Sequence, residues 1–184
     1  WVLDPVGIGI GQLRSDLLQE LKQYKPAIVR GNASEIIALA SLWDIEANAY
    51  ESSRPRGVDT TDTVEAARDA AAALARYTGG AVAVSGKKDL VTDGEKVVYS
   101  EGGSELMEKV TGFGCSQGGV LAVYATATNP FTAALAAVAH YNVAGSRAAK
   151  VADAPASFKT AFIDELYRAT ARDIADNPFS VEEA

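Results

Sequence analysis

Two short runs, "AIVR" at Ala27–Arg30 and "AVAVS" at Ala81–Ser85, are apolar at nearly every position rather than at alternate ones. A strand with one wet face alternates, whereas a run that is apolar on both faces must be covered on both. Helical periodicity fills the intervals between these runs. Leu17, Leu18, Leu21 and Tyr24 form one stripe before Pro26, with Ser15 or Asp16 as its cap. "GNASEIIALASLW" starts a second helix with Asn32 as cap, and Val64, Ala67, Ala71 and Leu74 repeat at helical spacing from "DTTD" onward, after polar, irregular residues 44–61. Strands separated by helices predict a parallel sheet with helices on both faces.

Trp1–Leu3 reads as the end of another strand, and "DLVTDGEKVVYS" as a hairpin turning at Asp93-Gly94. Three helical stretches follow, roughly 116–127, 131–147 and 157–174, the first apolar nearly all round, as a buried helix is. The tail "DNPFSVEEA" reads as frayed. The expected architecture is α/β in three layers, a mostly parallel sheet with one antiparallel hairpin, in a single domain over residues 1–184. Because Trp1 opens the chain inside a strand and no Met precedes it, the sequence is expected to be a fragment, a processed product or a domain short of its N-terminal part.

Composition excludes several functions. The net charge is −7, the wrong sign for a protein that must neutralise a nucleic-acid backbone. Cys115 is the only cysteine and His140 the only histidine, so neither an internal disulfide nor a Cys/His metal cluster can form. No apolar run nears the ~18 residues of a membrane span. A cytoplasmic setting and no membrane partner are expected.

Three apparent motifs fail on inspection. "GIGIG" at 7–11 lacks the third glycine of a dinucleotide fingerprint, because position 12 is Gln12. "SGKKD" has Ala81 and Lys88 where a phosphate-binding lysine loop needs glycine and a hydroxyl. Cys115 and His140 both lie on apolar helical stretches without a third orienting group, which argues against a nucleophilic dyad.

The strand ends carry more. In open α/β sheets ligands bind beyond the carboxyl ends of the strands. "VTGFGCSQGG" leaves the N–H groups around Gly112 and Gly114 unobstructed at a helix N-terminus, which suits an anion. Cys115 stands in or beside the first turn, where a thiol is made more reactive. The same glycines also suit close helix–strand packing. Arg30 ends one strand and can fork onto a phosphate. Asp4 and Glu35 offer hard oxygens for Mg²⁺, while Asp4 before Pro5 also fits a turn and Asn32…Glu35 a capping box. Two acids, an arginine and an anion cradle are the parts that phosphoryl transfer needs.

Together "LDPVG", "KPAIVRGNASEI", "GVDTTD", "AVSGKKDLVTDG" and "VTGFGC" resemble, in order and spacing, the hydroxyethylthiazole kinase family of the ribokinase-like superfamily. That resemblance implies ATP- and Mg²⁺-dependent phosphorylation of the hydroxyl of 4-methyl-5-(2-hydroxyethyl)thiazole in thiamin salvage. It implies Asp4 and Glu35 near metal and phosphates, Arg30 and Ser85 at the nucleotide, and Gly112 with Gly114 at a substrate-side anion hole. Cys115 matches the family's cysteine, where most of the superfamily has an aspartate that takes the hydroxyl proton. It further implies a homotrimer with thiazole sites between subunits, and a chain without the family's N-terminal portion. Phe113 departs from the small residue usual between the two glycines and is expected to crowd the anion hole. Two other readings stay open: a non-catalytic nucleotide-binding or interaction module, and a kinase for another small alcohol or a pyrimidine.

Overall fold

The computed structural model describes residues 1–45 and 64–183. Its strands are β1 (Val2–Leu3), β2 (Ile28–Asn32), β3 (Ala81–Ser85), β4 (Asp89–Thr92), β5 (Lys96–Ser100) and β6 (Phe179–Glu183), and they form one sheet in that spatial order. β1, β2 and β3 run parallel. The other three pairings, β3–β4, β4–β5 and β5–β6, are antiparallel. The sheet is therefore mixed, with its parallel part confined to β1–β3. The hairpin joins β3 antiparallel, and the tail adds a third antiparallel pairing: "FSVEE" is ordered as an edge strand on β5 rather than frayed.

The helices are α1 (Gln12–Leu21), α2 (Ala33–Leu42), α3 (Arg68–Thr78), α4 (Phe113–Ala125), α5 (Pro130–Ala148), α6 (Pro155–Arg168) and α7 (Ala171–Ala175). Residues 46–63, with all of "GVDTTD", lie outside the described part. The period-two geometry of the strands splits their apolar side chains between two layers. Val29, Val82, Val84 and Leu90 pack with Ile36, Leu39, Trp43 and Leu74 of the α2–α3 layer. Ile28, Ala81, Ala83 and Val91 pack with Leu121, Ala134, Ala137 and Val138 of α4 and α5. A third cluster joins Phe113, Tyr141, Phe158 and Phe162 beyond the sheet.

Three helices differ from the sequence pattern. α1 starts at Gln12 with Gly11 as its cap, because the Ser15 N–H already bonds the Gly11 carbonyl. Only Leu18 of its stripe is buried, while Leu17 and Tyr24 are exposed. α4 is not a buried helix: Phe113, Gln117 and Leu121 face inward at i, i+4, i+8, and much of its remaining surface is glycine and alanine facing outward. The stretch 157–174 is two helices, because Thr170 and Asp173 close a capping box that starts α7 anew. Among the described residues no helix is long and apolar enough to cross a membrane.

Candidate active site

The carboxyl ends of β1, β2 and β3 lie side by side, so Asp4, Arg30 and Ser85 meet although 26 and 55 residues separate the pairs. Arg30 is only 4% exposed. Its Nη1 donates to Asp4 Oδ2 at 3.1 Å and its Nη2 to Ser85 Oγ at 3.0 Å. Ser85 Oγ in turn donates to the Gly31 carbonyl at 3.3 Å. The guanidinium is thus held in one plane by two partners before any ligand arrives.

The same guanidinium lies under the first turn of α4. A methyl group on Gly114 would stand 3.3 Å from Arg30 Nη1, a tight contact that would press on the guanidinium. Gly112 is the N-cap with φ +91°, and the space where its side chain would be is open. Among the described residues no side chain caps α4. The Phe113 N–H bonds the Val110 carbonyl at 3.3 Å, so the N–H groups of Gly114 and Cys115 and the positive end of the dipole are what the helix start offers beside Arg30. Two positive features set together, with one carboxylate beside them, form a place for an anion.

Asp4 Oδ1 and Arg30 Nε are buried and have no hydrogen-bond partner among the described residues. Buried polar atoms are nearly always paired, and a carboxylate oxygen of this kind fits a cation or a water that the cation carries. Among the described residues no three His, Cys, Asp or Glu side chains converge as a metal cage. A single carboxylate suits Mg²⁺, which keeps most of its waters and takes its other ligands from phosphate. Glu35 is differently engaged. Its Oε2 accepts the Asn32 N–H at 2.9 Å, Asn32 Oδ1 accepts the Glu35 N–H at 2.9 Å, and Oε1 accepts the Gly7 N–H at 3.3 Å. It closes the capping box of α2 and ties down the turn that follows Asp4.

Cys115 lies in the first turn of α4 and is exposed. The dyad dismissed from sequence does not form, since His140 bonds Tyr124 Oη through Nδ1 and the Leu166 carbonyl through Nε2. Phe113 corrects an expectation. Its ring is buried against Phe162 at 4.6 Å and Phe158 at 5.9 Å, inside the third cluster, so it leaves the anion hole open and anchors α4 instead.

The sequence pattern left Asp89 and Asn142 unremarked. Both are buried polar residues behind Arg30 and Ser85. Asp89 heads the apolar run "DLV", and a charge at the start of a buried strand is the signal that would have drawn attention to it. Burial pushes its carboxyl up to about 6, against the lowering effects of the Gly86 N–H, Asn142 and the Arg30 charge.

The sequence profile of the Hydroxyethylthiazole kinase family matches residues 1–172. The hydroxyethylthiazole kinase of Bifidobacterium longum (strain DJO10A) is 45% identical over 99% of this chain and 63% of its own length. That of Corynebacterium glutamicum (strain R) is 44% identical over 95% of this chain and 64% of its own. The chain thus spans less than two thirds of these relatives. Among solved structures, the hydroxyethylthiazole kinase protein of Pyrococcus horikoshii OT3 superposes with a TM-score of 0.81 at 29% identity, covering all of this chain and 65% of that one. The pyridoxal kinase of Staphylococcus aureus in complex with AMP-PCP superposes at 0.60 with 19% identity, a likeness of fold only. On its matched sequence and on its fold, the chain belongs to the hydroxyethylthiazole kinase family.

Proposed function

We propose that this chain carries the nucleotide- and phosphate-handling part of an ATP-dependent kinase for 4-methyl-5-(2-hydroxyethyl)thiazole, as one domain over residues 1–184. The observation that carries the reading is Arg30, buried, forked between Asp4 and Ser85, and lying against Gly114 under the uncapped start of α4. Positive charge placed beside the positive end of a helix supports an anion there.

In this reading the backbone N–H groups after Gly112 hold the transferring phosphoryl group, and Arg30 and Ser85 hold the nucleotide's phosphates. The alcohol oxygen of the thiazole attacks the γ-phosphorus, the bond to the ADP oxygen breaks, and Cys115 is placed to receive the proton that the alcohol loses. Asp4 is the carboxylate for Mg²⁺, and Glu35 serves at one remove by fixing the turn after Asp4. When bound, Mg²⁺ supplies charge neutralisation at the phosphates. We place the enzyme in the cytoplasm as a homotrimer with thiazole sites between subunits. The exposed Ile10, Leu13 and Leu17, one face of α1 and its approach, are the apolar surface that supports an assembly.

The test is transfer of label from γ-³²P ATP to hydroxyethylthiazole with Mg²⁺, beside calorimetric titration with ATP. Transfer that falls by about a hundredfold in Cys115→Ala is the expected outcome, within the range for loss of a general base. ATP binding without transfer would replace the kinase by a nucleotide-binding module, and an absence of both would overturn the reading.

A further inference from the structure

Behind the phosphate cradle lies a buried polar network that the cradle itself does not use. Asp89 opens β4 directly opposite Ser100, the last residue of β5. Its Oδ1 accepts the Gly86 N–H at 2.9 Å, which closes the turn 86–88 immediately after Ser85. Asn142, on α5, lies near enough to the same carboxylate to stabilise its charge, and its Nδ2 donates to Ser100 Oγ at 3.0 Å. Ser100 Oγ also accepts from Asn177 Nδ2 at 3.1 Å, and Asn177 Nδ2 reaches the Glu101 carbonyl at 3.0 Å.

The network governs a second turn as well. The Asn142 carbonyl accepts the Gly103 N–H at 3.0 Å, and Ser146 Oγ, one helical turn later, both accepts from Gly103 N–H and donates to its carbonyl. A methyl group on Gly103 would lie 3.3 Å from Asn142 Oδ1. The two turns are joined at their tips by Lys88 Nζ and Glu101 Oε1 at 3.3 Å. Of the four buried side chains from β4, α5, β5 and the segment before β6, Asp89 holds turn 86–88 and Asn177 holds the Glu101 carbonyl, while Asn142 and Ser100 link the two at the sheet edge where Arg30 and Ser85 stand.

Filling space does not account for this arrangement. A carboxylate taken out of water is costly, and well-packed apolar side chains of the same volume are commonly as stable or more so. What Asp89 offers that an apolar residue cannot is direction: one oxygen aimed at the amide next to Ser85.

We propose that Asp89 and Asn142 are positioning residues for the bound nucleotide, Asp89 acting through the Gly86 N–H and the Asn142 side chain through Ser100, to set the turns beside Arg30 and Ser85. The proposal rests on the nucleotide-binding reading above. It predicts an effect on ATP affinity that is separate from the effect on stability.

The experiment measures ATP affinity by calorimetry at a temperature where each variant is folded, together with its urea midpoint. Asp89→Ala and Asn142→Ala are each expected to weaken ATP binding at least tenfold. Asp89→Asn, which keeps an oxygen for the Gly86 N–H, is expected to stay within about threefold of the wild type. Lowered urea midpoints with ATP affinities of both alanine variants within twofold of the wild type would overturn the proposal, because that is the signature of a merely structural network. Should Asp89→Ala not fold, Asn142→Ala alone carries the same criterion. A wild-type chain that binds no ATP overturns the nucleotide reading and this inference with it, whereas intact wild-type binding beside unaffected variants overturns this inference alone.

Discussion

Arg30 is a structural tie, and in the proposed function the same side chain is a binding group. Its two Nη atoms are engaged with Asp4 and Ser85 in a fixed fork, and its face lies against Gly114. Lysine carries the charge but offers a point rather than a fork. Arg30→Lys is therefore expected to weaken ATP binding by about 10- to 150-fold, the equivalent of the ~1.5–3 kcal/mol of a charged hydrogen bond, with a smaller change in urea midpoint. Calorimetry and equilibrium unfolding on the same preparation check it. Phe113 makes the opposite case. Read as a residue between two glycines it belongs to the anion hole, yet its ring turns into the Phe158–Phe162 cluster. Phe113→Ala is expected to cost roughly 3 kcal/mol or more of stability, the range for truncating a buried aromatic, read as a fall in the urea midpoint. Glycine-neighbour spacing could not reveal this. The direction of a side chain at a helix start depends on which residues 45 and 49 positions later pack against it.

Among the elements, α2 is the one whose sequence logic is most complete. "NASE" sets Asn32 and Glu35 as reciprocal caps, and the structure adds a third bond from Glu35 to the Gly7 N–H. Glu35→Ala removes the box and releases the turn after Asp4. The expected loss is about 1–2 kcal/mol of stability. Hydrogen exchange should show faster exchange at the amides of Asn32 and Gly7, and unchanged protection in α5 would confirm that the effect is local. β2, β3 and the β4–β5 hairpin were legible because strands buried on both faces must be apolar throughout, and because Asp93 before Gly94 both turns the chain and accepts the N–H groups of Glu95 and Lys96. α4 and β6 were not. Glycine and alanine count as apolar but bury little, so α4 reads as buried while most of it faces outward. β6 has only Phe179 and Val181 as apolar residues, and its order comes from β5, a partner about 80 residues away that no local pattern contains. The converging of Asp4, Arg30 and Ser85 was legible only as a set of strand ends, because the parallel register that aligns them is a property of the sheet.

For the molecule as a whole, two carboxylates pull stability in opposite directions with pH. Asp89 is raised from 3.8 to about 6, chiefly by desolvation. Between these values the folded chain binds a proton that the unfolded chain does not, so stability is greatest below about 4 and falls as pH rises through about 6. A shift of this size corresponds to about 3 kcal/mol at most. Asp173 acts in the other sense. The Thr170 N–H, the Arg147 guanidinium and the Thr170 hydroxyl hold its carboxyl well below the usual range, so its contribution is present above its ordinary value and is lost as acid protonates it. The net charge of −7 adds a diffuse repulsion that also eases as pH falls. The expected curve rises on acidification from neutral pH toward about 4 and drops beyond it. Asp89→Asn separates the local contribution from the diffuse one: it removes the buried titration and leaves the rest of the charge almost unchanged. Urea midpoints at pH 7 and pH 4.5 should differ less in Asp89→Asn than in the wild type, with the gap between them closing from the pH 7 side. An identical pH dependence in the two proteins would show that Asp89 stays ionised at little cost, and that the network around it solvates the charge as well as water does.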